Sequence, residues 1–201
     1  MDDTDRPVVL VVEDEPDVAE TYERWLRSEY DVRVADDGPT ALEELDGTVD
    51  VVLLDRMMPG MSGEEVLREI RDRGVDCRVA MVTAVDPDFD VIEMGFDEYV
   101  TKPPERDELL ETVERLVDRA SLDDEMQEYY ALVARRSALE DEKTSEELAD
   151  SEEYAELVDR IEAERATVDE DLGDMSSDRG FVGAVREIVD EDESTKGGDR
   201  T

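Results

Sequence analysis

The chain has 201 residues and carries 62 acidic against 22 basic side chains, a formal net charge of −40, and its length suits one well-packed domain plus a smaller appendage. A single cysteine, Cys77, excludes an internal disulfide, and the lack of histidine excludes the usual Cys/His metal sites and Ser-His catalysis, so any metal must be a hard ion held by oxygen. Uncharged apolar runs are only a few residues long and the N-terminus opens with acids, so neither export nor membrane insertion is expected, and the cytoplasm is the expected location.

Residues 1–120 alternate short β-rich runs with amphipathic helical runs, which predicts an α/β domain built on a five-stranded parallel sheet with helices on both faces. Strands are predicted near 8–13, 32–35, 49–54, 78–83 and 98–101. Pro16, after Asp14 and Glu15, suits a first helical turn; Ser62 can cap a helix over 63–73 that Gly74 stops. A fifth helix is predicted over about 104–119, with Leu109, Leu110, Val113, Leu116 and Val117 on one face. Past residue 120 the strand signals stop. Leu122, Met126, Tyr129 and Val133 follow a four-three-four spacing, and after a polar break over 143–151 the set Tyr154, Val158, Ile161, Arg165, Val168, Leu172 and Met175 repeats it. This predicts an α-helical hairpin or coiled-coil domain over 121–190, onto which a last stripe of Phe181, Val185, Ile188 and Val189 folds back, and then a flexible polar tail over 191–201.

Four of the predicted strands end in groups with chemical potential: Glu13 and Asp14, Asp55, Thr83, and Lys102 before Pro103. In an open parallel sheet the carboxyl ends of the strands converge where ligands bind, so these groups are expected to share one crevice. Each has a plainer reading by itself. Glu13-Asp14 is also a helix N-terminal acid pair, Thr83 a strand-end cap, Tyr99 a packing aromatic, and Met57, Met58 and Met61 turn packing rather than a cofactor box. Lys102 stands apart, because the chain has 19 Arg against 3 Lys and this is the only lysine before residue 121.

Together, Glu13-Asp14, Asp55 with Met58-Pro59 and Gly63, Thr83-Ala84, and Tyr99 with Lys102-Pro103 make residues 7 to about 120 resemble the response regulator receiver domain of two-component signalling, a flavodoxin-like fold. The resemblance implies that Asp55 is the phosphoacceptor, taking its phosphoryl group from the phosphohistidine of a sensor histidine kinase. It implies Mg2+ held by Asp14, Asp55 and the backbone carbonyl of Met57, with Glu13 acting through a metal-bound water. Thr83, the amide of Ala84 and Lys102 would contact the phosphoryl oxygens, and Tyr99 would follow Thr83 inward. The receiver would support only its own Mg-dependent phosphorylation and dephosphorylation at Asp55, and would not be an enzyme for outside substrates. An aspartyl phosphohydrolase needs a second carboxylate two residues on, where this chain has Met57.

The helical part over 121–190 resembles the HalX domain appended to receivers in haloarchaea, by position, acidic helical character and the Tyr129-Tyr130 and Phe181 runs. Phosphorylation of Asp55 is expected to switch this helical output module, with a homodimer allowed through the receiver face or the helices; the alternatives are a DNA-binding transcription regulator with an unrecognised effector and a phosphorelay intermediate without DNA contact. Among basic pairs it has only Arg135-Arg136, and it shows no helix-turn-helix, zinc module or basic stripe.

Acids are spread along both parts: residues 1–120 hold 35 acidic and 13 basic side chains, and the rest hold 27 and 9. This pattern resembles proteins of extreme halophiles. At molar salt the Debye length falls to about 3 Å and the mutual repulsion of the carboxylates is screened. Circular dichroism across a salt series is therefore expected to show loss of structure as salt falls to low millimolar, and an unchanged spectrum would contradict a halophilic role for the acidic surface.

Overall fold

The computed structural model describes residues 6–120, 122 and 124–174. Five strands, β1 (Val8–Val12), β2 (Asp31–Ala35), β3 (Val49–Leu54), β4 (Arg78–Thr83) and β5 (Glu98–Thr101), form one parallel sheet in the order β2-β1-β3-β4-β5. Because side chains alternate across a strand, each strand feeds both faces. Val9, Val11, Val51, Leu53, Ala80 and Val82 point to one side. They meet Tyr22 and Leu26 of α1 (Pro16–Leu26) and Leu109, Val113 and Leu116 of α4 (Arg106–Arg119). Leu10, Val12, Val52, Leu54, Val79 and Met81 point to the other, against α2 (Gly38–Glu44) and α3 (Gly63–Asp72).

Local chemistry sets the helix ends. Pro16 opens α1 with Glu15 at the N-cap, although Glu15 makes no side-chain cap bond. Ser62 and Glu65 form a reciprocal capping box at α3, and Gly74, at φ +64°, follows its end in the left-handed region that glycine favours.

Between β4 and β5 the alternation breaks. Where a fourth α-helix would make the helix over 104–119 the fifth, the chain forms only a 3₁₀ turn, Phe89–Glu93, so that helix is α4. Pro87 disfavours helix at Asp86, Asp88 spends its carboxylate capping the Phe89 amide, and Gly95 turns the chain at φ +76°. The sheet face left open here is covered by the C-terminal helices α5 (Asp124–Glu142) and α7 (Glu152–Asp174), with the short α6 (Ser145–Asp150) between them. Leu132 and Leu139 of α5 and Leu157 and Ile161 of α7 belong to the same buried cluster as the sheet.

The hairpin thus differs from its predicted register. The expected polar break over 143–151 contains α6, because Thr144 and Glu147 cap it reciprocally. The deepest stripe of α5 is Leu132, Arg135 and Leu139; of the predicted set, Tyr129 and Val133 pack half-buried against the same core, and Met126 is buried with Tyr130 in a separate small cluster beside Leu122 and Tyr129. In α7 the deepest positions are Leu157 and Ile161, with Tyr154 and Val158 only half-buried. The heptad pattern assumed a two-helix seam, whereas α5 meets α7, β5 and the 3₁₀ turn at once. The side chains of Val168 and Leu172, with Met175, the stripe Phe181 to Val189 and the tail, lie outside the described residues.

Because the four hairpin residues share the receiver's core, Leu157→Ala is expected to destabilise the whole chain in one transition, by about 2–5 kcal/mol for a buried leucine. Denaturant unfolding in molar salt checks this. Two separate transitions, with the sheet unaffected, would contradict the shared core.

Candidate functional site

The groups expected at the strand ends do converge. β1 and β3 are neighbours, and the backbone amide of Asp55 donates to the Val12 carbonyl at 3.0 Å, which sets Asp55 beside Glu13 and Asp14. Glu13 is 2% and Asp55 7% exposed, while Asp14 is half-buried. One carboxylate oxygen from each of the three lies within 4.8 Å of the others. Two oxygens on opposite sides of one Mg2+ sit about 4.2 Å apart, so this oxygen-only donor set fits a hard divalent ion.

Lys102, carried past the end of β5, neutralises this charge. Its Nζ lies 2.6 Å from Asp55 Oδ2 and 2.5 Å from Glu13 Oε2. Its backbone amide donates to the Thr83 carbonyl at 2.8 Å, which ties the lysine to the end of β4. Burial pushes the Glu13 carboxyl above its ordinary value despite the nearby lysine. Burial works against the Lys102 ammonium, but the hydrogen bonds to Asp55 and Glu13 outweigh it and its pKa is raised. One ammonium between two buried carboxylates therefore stays charged.

Met57, whose side chain is 65% exposed, donates its amide to Asp55 Oδ1 at 3.0 Å. Gly63 is required by close approach: a Cβ there would lie 2.1 Å from the Asp55 carbonyl oxygen, and its amide donates to the Arg56 carbonyl at 2.9 Å. The first turn of α3 is thereby pressed onto the Asp55 loop. Thr83 is fully buried, and its hydroxyl accepts from the Val85 amide at 3.3 Å, while Ala84 is exposed beside it. Tyr99 is half-buried and donates its hydroxyl to the Val85 carbonyl at 2.5 Å, so it clasps the residues that follow Thr83.

Arg56 directly follows Asp55 in the chain. Its guanidinium is buried, donates to Glu64 at 2.7 Å and is also paired with Asp90, so it bridges α3 and the 3₁₀ turn directly beside Asp55. A second group went unforeseen. Arg135 of α5 reaches the carbonyls of Ile92 and Phe96 at 3.4 and 3.3 Å; Lys143 pairs with Asp88 at 3.0 Å and Arg160 with Glu93 at 3.5 Å. Only the tertiary docking of the hairpin makes these cations meaningful, and their local sequence carries no signal of it.

Among the described residues no helix is long and apolar enough to cross a membrane. The response regulator receiver domain family matches residues 9–114, and the HalX domain family matches residues 118–185. A Haloferax volcanii protein, provisionally named a transcriptional regulator, is 51% identical over 160 residues, covering 79% of this chain and 27% of its own length. The sensory transduction protein RegX3 of Mycobacterium tuberculosis is 43% identical over 58% of this chain and 53% of its own. The chain thus spans roughly a quarter to a half of the length of these relatives. Among solved structures, the beryllofluoride-activated DrrB receiver domain superposes with a TM-score of 0.53 at 30% identity, covering 57% of this chain and all of that one. The receiver domain of Francisella response regulator 1452 does so with 0.53 at 32% identity, covering 58% and all. With half its length matched by the family and the acidic triad, Thr83 and Lys102 gathered at one sheet edge, the chain belongs to the response regulator receiver family and carries a HalX domain behind the receiver.

Proposed function

We propose that this chain is a phosphorylation-controlled regulator in which Asp55 accepts a phosphoryl group from a partner histidine kinase and the helical hairpin reads the result. The observation that carries the proposal is the Lys102 ammonium, 2.6 Å from Asp55 within a carboxylate triad whose oxygens suit a metal. A carboxylate oxygen of Asp55 attacks phosphorus, the P–N bond to the donor imidazole breaks, and the imidazole regains a proton from solvent. Glu13, Asp14 and Asp55, with the Met57 carbonyl, would hold Mg2+, which when bound supplies positive charge against the incoming phosphoryl oxygens. Lys102 then exchanges its Asp55 contact for a phosphoryl oxygen as a compact point charge. The Thr83 hydroxyl and the Ala84 amide donate to the other oxygens.

The path outward is short. If the Thr83 hydroxyl leaves the Val85 amide for a phosphoryl oxygen, the turn at 84–88 moves, Tyr99 loses its present fit to Val85, and the 3₁₀ turn moves with it. Lys143, Arg160 and Arg135 fasten the hairpin to that turn and the residues just after it, and Arg56 fastens it to the phosphoacceptor loop. The proposed output is a changed protein contact of the hairpin in the cytoplasm, with another copy of the chain or with a partner, and no turnover of an outside substrate. A role in transcription is not carried over from the Haloferax volcanii relative, because that match reaches only 27% of its length.

Incubation with a labelled small phosphodonor and Mg2+ in molar salt is expected to label the wild-type chain and not Asp55→Asn; equal labelling of both would overturn the assignment. Thr83→Ala is expected to keep labelling while losing most of the phosphorylation-dependent change in partner binding or self-association, because the hydroxyl senses the phosphoryl group and Asp55 performs the transfer. A Thr83→Ala chain that responds as fully as wild type would remove Thr83 from the switch.

A further inference from the structure

A polar cleft of about 300 Å3 opens where the hairpin docks on the receiver, remote in sequence from Asp55. Small-ligand sites begin at about this size. Its walls come from α3 (Arg71), β4 (Arg78), the loop before β5 (Asp97) and α5 (Gln127, Glu128, Arg135).

The charge in this cleft runs against the rest of the chain. Three guanidinium groups face two carboxylates, in a protein where acids outnumber bases 62 to 22. Asp97 is already committed: its Oδ2 accepts from Arg71 and from the Val79 amide, both at 2.7 Å, and its Oδ1 from Arg78 at 3.5 Å; Arg78 is paired as well with Asp76 outside the cleft, and Arg71 also donates to the Gly95 and Cys77 carbonyls at 3.0 and 2.8 Å. Glu128 stands 3.9 Å from Arg135 and is shared with Arg160 at 3.3 Å. Arg135 is 4% exposed and uses two of its five N–H donors, on the Ile92 and Phe96 carbonyls. Burial pulls its pKa down, against the influence of Glu128 and Asp97. Arg78 and Arg135 are both more than nine-tenths buried, and each keeps a buried Nε–H without a hydrogen-bond partner. Buried donors left unmade are costly, and the planar fork of a guanidinium group matches the oxygens of a carboxylate or phosphate.

We propose that this cleft binds a small oxyanion, a phosphate or a carboxylate, held by Arg71, Arg78 and Arg135 at the seam between receiver and hairpin. After a small rotation of the guanidinium groups the anion supplies acceptors to the unpaired Nε–H groups of Arg78 and Arg135, beside the charge of Arg71. Since its walls belong to both parts of the chain, occupancy clamps the hairpin to the receiver. The site shares no residue with the Asp55 crevice and gives the chain a second, non-covalent input.

Isothermal titration of the full chain in molar potassium chloride, without Mg2+, tests this with inorganic phosphate and succinate as separate probes. Saturable binding of one or both, at one site per chain, is expected, and the probe that binds identifies the class. Arg71 is only partly buried, so Arg71→Gln should fold and weaken binding by about tenfold or more, as loss of a charge-assisted contact implies. Gln127→Glu places a tethered carboxylate in the cleft, and is expected to abolish binding and raise the thermal midpoint. Thr83→Ala, which alters the Asp55 crevice, should bind as wild type. Absence of saturable binding, indifference to both cleft substitutions, or equal loss in Thr83→Ala would overturn the proposal.

Discussion

Three carboxylates at the end of a buried sheet are a problem of like charge, and the Lys102 ammonium is what makes their arrangement tenable. Removing one partner from such a cluster leaves uncompensated charge where water is scarce. The strand order answers the problem geometrically: β1 and β3 lie side by side and deliver the acids, while β4 and β5 lie beyond them and deliver Thr83 and Lys102 to the same edge. The Lys102 amide, bonded to the Thr83 carbonyl, makes the cation and the Thr83 hydroxyl parts of one backbone unit. A disturbance at Asp55 therefore reaches both.

The rest of the chain is arranged around that edge. Where the alternating pattern would place another helix after β4, the sequence has the Asp86-Pro87-Asp88 run and a short turn, and the C-terminal hairpin fills the vacated face. The output element is thus part of the receiver's core, not a body on a tether. Of the chain's three lysines, Lys102 pairs with Asp55 and Lys143 fastens the seam. At molar salt exposed pairs are screened, but Arg135 and Arg56 are buried and keep their influence.

The receiver was legible in the sequence because its signals are local. The β-branched runs Val8–Val12, Val49–Leu54 and Arg78–Thr83 carry their strand ends to within a residue, and the crevice follows from parallel pairing alone. Glu13, Asp14, Asp55, Thr83 and Lys102 could be gathered without coordinates for that reason. The hairpin's inward face was not legible. Leu132, Arg135 and Leu139 form as regular a stripe as Leu122, Met126, Tyr129 and Val133, and the open sheet face beside the 3₁₀ turn buries the first deepest, with Tyr129 and Val133 at its margin. Arg135 illustrates the limit most clearly, since a charged residue on a helix is assigned to solvent unless carbonyls of a distant segment, here Ile92 and Phe96, are known to await it.

The central claim is that the state of Asp55 is communicated to α5 and α7 through the segment from Thr83 to Asp97. Hydrogen–deuterium exchange of the full chain in molar salt, with and without a small phosphodonor and Mg2+, measures this directly. The account expects altered protection in residues 84–97 together with the parts of α5 and α7 around Leu132 to Leu139 and Leu157 to Ile161, all of it absent in Asp55→Asn. Changes confined to the strand ends around Asp55, with the hairpin amides untouched, would contradict it.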